Sequence, residues 1–179
     1  MDARPAANLA CFKIALIALA LIASDRTLAA VGTASASCTV LEPIAVTKSA
    51  DLSFGRFAAG PGGTVTVSTS GVRTASGIVP SADAGAPSAA IFLVTGSHGA
   101  TFSIRHAASA ALSRTAGSES MTLTTFSDLT AANATSGTVA GGTLSAGTQS
   151  IHIGGTLNVA PNQPVGNYAG EVSVTVEYN

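Results

Sequence analysis

Residues 165–179, the last stretch of the chain, constrain its fold more than any other segment. From Tyr168 onward the pattern alternates without a fault. Tyr168, Gly170, Val172, Val174, Val176 and Tyr178 fall on one side, and Ala169, Glu171, Ser173, Thr175 and Glu177 on the other. A period of two puts successive side chains on opposite faces of a strand, so one face must meet a core while the other stays wet. Burying its valines and tyrosine rings contributes on the order of 5–10 kcal/mol before conformational entropy is subtracted. A chain with this ending needs a sheet to receive it.

The preceding segments supply one. Residues 33–40 alternate, with Ala34, Ala36, Cys38 and Val40 on one face, and Pro43 interrupts their continuation as it would at an edge strand or a strand changing sheets. Phe54 and Phe57 are the first large core anchors. Gly60-Pro-Gly-Gly63 is a turn, followed by a strand burying Val65 and Val67. Residues 90–95 are apolar on both faces, as a central strand is. After a hairpin-like break at Ser97-His-Gly99, residues 100–106 turn Phe102 and Ile104 inward, and residues 120–126 bury Met121, Leu123 and Phe126. Residues 127–142 read as a mobile loop, and 149–153 and 155–159 as two further short strands. No helical period occurs after the N-terminal region. Short strands separated by Gly, Pro, Asn and Ser predict an all-β fold, an immunoglobulin-like antiparallel β-sandwich, as a single domain over residues 30–179. An outer-membrane barrel is the poorer fit, since most segments run to about five residues where barrel strands need about ten.

The chain opens differently. Arg4 and Lys13 precede an apolar run over residues 14–23, too short for a bilayer core of about 30 Å and suited to a signal peptide. Thr27 and Ala29 suit cleavage after Ala29, with Ala36 as a second candidate, so residues 1–29 are read as the signal peptide. The expected mature chain carries no membrane span and is exported to the periplasm, cell surface or medium. Cys11 leaves with the signal. Cys38 then has no intramolecular partner; it reads as a small buried hydrophobe on an alternating strand, or as half of an intermolecular disulfide.

Chemistry is sparse. A net charge of -1 and scattered arginines give no drive towards nucleic acid. His98, His106 and His152 form no ligand-spaced pair and read as surface or loop-end residues, and the acidic residues are isolated. No G-x-S-x-G elbow or phosphate loop occurs. The expectation is a protein that is not an enzyme and has no cofactor, no metal and no catalytic residues. A triad assembled from distant segments would escape this reading.

Gly166, the penultimate Tyr178 and the alternating valines between them resemble the carboxy-terminal motif of pilins assembled by the bacterial chaperone–usher route. The whole mature chain is similar to a family of secreted, pilin-like bacterial domains of unknown function related to spore coat U-type domains. That likeness is carried by residues 50–57, 142–147, 155–159 and 162–170. The resemblance to chaperone–usher pilins implies a sandwich lacking one strand, supplied first by a periplasmic chaperone and then by a neighbouring subunit. Gly166, Tyr168, Val172, Val174, Val176 and Tyr178 would form the contact strand, and Ala34, Ala36, Cys38 and Val40 the donor strand. The alternative is that the N-terminal strand completes its own sandwich, giving a finished monomer. The function expected is a structural or adhesive subunit of a fimbria-like surface assembly, with itself, related subunits and a chaperone as partners. The alternative is a self-contained secreted module binding a glycan or other surface ligand through residues 127–142.

Overall fold

The computed structural model describes residues 30–81 and 85–179; the expected signal peptide, residues 1–29, lies outside them. The chain divides into two units, one ending at Thr39 and the other running from Val40 to Asn179. In the first, residues 30–39 have no strand and are exposed. The strand expected over residues 33–40 is therefore absent: Ala34, Ala36 and Cys38 are exposed, and Val40 is 90% exposed. Side chains this small bury too little apolar area to offset the entropy of ordering the backbone. Cys38 is an exposed free thiol, which overturns its reading as a buried hydrophobe.

The second unit is all-β. Its strands are β1 (Ala45–Ala50), β2 (Phe57–Ala58), β3 (Gly63–Val67), β4 (Arg73–Ser76), β5 (Val79–Pro80), β6 (Ala90–Thr95) and β7 (Thr101–His106). They continue as β8 (Ser109–Arg114), β9 (Ser120–Asp128), β10 (Gly141–Thr143), β11 (Thr148–Val159), β12 (Tyr168–Ala169) and β13 (Val174–Tyr178). Every pairing is antiparallel. Among the described residues there is no helix, and so none long and apolar enough to cross a membrane.

The large sheet runs β1-β6-β11-β9-β8-β12, with β3 attached along β11 and β4 paired to β3. A second sheet runs β10-β7-β13, and β2 pairs β5. β1 starts two residues after Pro43 and is an edge strand, one of the two placements expected from the proline. Phe102 and Ile104 of β7 pack with Val94, Ile151 and Ile153 of the large sheet and with Leu144 in one core cluster. A second cluster gathers Phe54, Val65, Val67, Met121, Leu123 and Leu157. The anchors expected from alternation are buried, with Val65, Val67 and Phe102 fully so and Phe57 partly.

β11 departs from the sequence reading. The two short strands expected on either side of Gly154 form one, whose long edge serves β6 and β3 in succession while its other edge pairs β9. Gly154 is there for closeness. A Cβ on it would lie 2.3 Å from the Phe126 ring and 2.5 Å from the Val67 carbonyl oxygen. Ser97-His-Gly99 makes no hairpin; it carries the chain from β6 to β7, which belong to different sheets. The loop after β9 is pinned rather than loose. Asp128 carboxylate oxygens accept from Thr130 N–H, Thr130 Oγ1 and Ala132 N–H, and Thr69 and Ala134 exchange main-chain and hydroxyl bonds across it.

The final segment is two strands, not one. Tyr168–Ala169 pairs β8 in the large sheet, and Val174–Tyr178 pairs β7 in the other. At Gly170 the backbone comes so near Ala111 that a Cβ would sit 2.3 Å from its carbonyl oxygen, and the chain then crosses between sheets. Alternation persists through the crossing. Tyr168, Val172, Val174, Val176 and Tyr178 are half-buried, while Ala169, Glu171, Ser173, Thr175 and Glu177 are exposed.

Candidate functional site

Residues 48–60 and 162–172 form the two walls of an open groove of about 1100 Å³. The walls meet at one end, where Asn162 N–H donates to Gly60 C=O. The floor consists of Phe92 from β6, Leu112 from β8, Met121 and Leu123 from β9 and Leu157 from β11. These residues fall on one face because strands send alternate side chains to each side. Leu123 and Leu157 are 1% exposed, whereas Phe92 and Leu112 above them remain partly open.

Both walls are held from behind. Ser53 exchanges two main-chain hydrogen bonds with Ser88, and the Arg73 guanidinium donates to the carbonyls of Phe54, Arg56 and Ser81. Lys48 pairs with Asp51 at 2.6 Å. On the opposite wall, the Tyr168 hydroxyl donates to Pro164 C=O and accepts from Gln163 Nε2. Gly166, at φ 154°, lies against Arg114, where a Cβ would come within 2.7 Å of Nε. Arg114 also holds Glu119 at 3.3 Å. The Glu119 carboxyl is kept below its ordinary value by its own backbone N–H first and Arg114 second.

β12 is the last strand of the large sheet, and among the described residues no strand pairs its outer edge. The groove thus combines apolar floor with an open main-chain edge. Of the expected contact strand, Gly166, Tyr168 and Val172 line the groove. Val174, Val176 and Tyr178 do not; they pack on the core cluster around Phe102. Tyr178 has another task. Its hydroxyl accepts from Ser97 N–H at 2.7 Å and donates to Glu42 C=O at 2.8 Å, while Glu42 N–H donates to Ser97 Oγ at 2.7 Å. Gly96 leaves room for this clasp, since a Cβ there would stand 2.1 Å from the hydroxyl oxygen. Of the expected donor strand, Ala34, Ala36, Cys38 and Val40 have no strand pairing.

One polar pair escaped sequence reading. His106 Nε2 and Ser127 Oγ lie 3.0 Å apart, brought together from β7 and β9, so no local spacing announces them. His106 is therefore not a plain surface residue. Ser127 is 4% exposed and also accepts from Val139 N–H, outside the groove. No carboxylate bonds His106 among the described residues, so the pair has no acid to orient it. Among the described residues no three His, Cys, Asp or Glu side chains converge as metal ligands.

An all-β domain with an open, edge-flanked groove is the class these features define. The family described as domain of unknown function DUF4402 matches residues 44–178, and the chain belongs to it. Neither the curated proteins nor the solved structures gave a match.

Proposed function

We propose that this chain is a non-enzymatic structural or adhesive subunit of a bacterial surface assembly. It is exported by the secretory route, and its groove takes up an extended strand from another chain. The carrying observation is the open edge of β12 beside the apolar floor formed by Leu112, Met121 and Leu123. An uncovered edge with apolar surface is a template for pairing, and proteins normally blunt or cover it. An added strand gains affinity from main-chain bonds and selectivity from alternate side chains. Two antiparallel sheets sharing a core, with the final segment crossing between them, support an immunoglobulin-like sandwich open at this groove.

The test uses the chain recovered from the cells that make it. We expect heat-labile, high-mass species in which amides of residues 168–173 exchange slowly with deuterated solvent. A purely monomeric chain whose residues 168–173 exchange at the rate of free peptide would refute the reading.

A further inference from the structure

Resting on the strand-uptake reading, we infer that the strand entering this groove comes from a different protein. That strand carries large aliphatic or aromatic side chains at alternate positions and a carboxylate where it passes Arg56. The chain's own residues 30–41 are the wrong filler. One of their faces offers Ala30, Gly32, Ala34, Ala36, Cys38 and Val40, and the other Val31, Thr33, Ser35, Ser37, Thr39 and Leu41, so large aliphatics stand only at the two ends and the middle is small or polar on both faces. The middle of a groove of about 1100 Å³ over Phe92, Leu112 and Leu123 would be left largely unfilled by the methyls and thiol at the centre of that segment. Voids beside apolar atoms forfeit dispersion contacts, and each withheld methylene leaves apolar area in water.

Charge points the same way. Of the charged residues lining the groove, Lys48 is neutralised by Asp51, whereas the exposed Arg56 has no acidic partner among the described residues. Residues 30–41 contain no charged side chain, so they have nothing to set against the Arg56 guanidinium. A foreign strand with a carboxylate there completes the pair, and its bulky alternate residues complete the floor.

Three synthetic peptides test this against the chain spanning residues 42–179, by calorimetry and thermal shift. The first copies residues 31–41. The second carries A34L, A36F and C38I within that copy, and the third adds an aspartate at either end of the second. We expect the second to bind on the order of a hundredfold tighter than the first. The third should bind tighter still, and R56E should abolish that extra gain. Equal or tighter binding by the native copy overturns the foreign-strand inference while leaving strand uptake standing. Binding by none of the peptides defeats strand uptake itself. An aspartate gain that survives R56E overturns the assignment of Arg56.

Discussion

Gly154→Ala is the sharpest test of how β11 is built. The added Cβ would meet Phe126 Cε2 at 2.3 Å, Val67 O at 2.5 Å and Ser68 C at 2.9 Å. Ordinary carbon contacts lie near 3.5–4.0 Å, so more than an ångström must be recovered. The Phe126 ring is 3% exposed, and the Val67 carbonyl is main chain in the strand paired to β11. Overpacking of this kind costs about 1–3 kcal/mol, and a weakened ladder bond about 1 kcal/mol more. Alanine returns about 0.5–1 kcal/mol by restricting the unfolded chain. The net expectation is a loss of about 1–3.5 kcal/mol, read from urea unfolding monitored by circular dichroism. Gly32→Ala is the control, because nothing lies within 4 Å of its added Cβ. Adding Phe126→Leu should restore only part of the loss, since the Val67 carbonyl remains. A Gly154→Ala chain within about 0.5 kcal/mol of the parent would mean that Gly154 is a turn between two strands, and that the continuous β11 is wrong.

Tyr178→Phe keeps the ring and removes the clasp. It should cost about 1–3 kcal/mol, with faster amide exchange at Ser97, and an unchanged unfolding midpoint would contradict the bonding described. Asp128 is held below the ordinary carboxyl value, chiefly by Thr130 N–H, so its contribution is full above about pH 4 and lost as pH falls through the lower folded value. Urea midpoints measured down to pH 2 should fall less steeply for Asp128→Asn than for the parent. Arg73→Met removes the donor to three carbonyls behind one groove wall, and exchange at residues 54–57 should rise severalfold. Building A34L, A36F and C38I into a chain of residues 30–179 should convert it to heat-labile oligomers by size exclusion; a monomer would count against the side-chain account of groove filling.

Much of the core was legible because alternation records which side of a strand is dry. Val65, Val67, Phe102, Ile104, Met121 and Leu123 all follow it. The misreadings share a cause, namely that glycine and small residues are ambiguous in one dimension. Gly154 resembles a turn in sequence, yet it marks the closest approach of backbone to a ring. Gly170 sits within a perfect alternation, yet it is where the chain leaves one sheet for the other. Residues 33–40 alternate too, but alternation among alanines carries almost no burial energy and does not make a strand. β8, with its alanine-rich sequence, gave no signal and becomes a strand by pairing with β9 and β12. The groove was half visible: Gly166, Tyr168 and Val172 were named from the final segment, while its floor depends on pairings among distant strands. The His106–Ser127 contact depends on the same long-range register.

The clasp at Tyr178 also determines how the domain would carry tension. Glu42 stands just ahead of β1 in the large sheet, Ser97 leads from β6 to β7, and Tyr178 ends β13 in the other sheet. A pull arriving through the N-terminal segment is therefore divided between both sheets before β1 can peel from its exposed edge. The hydroxyl of one tyrosine acts as the coupling through which the two sheets share a mechanical load.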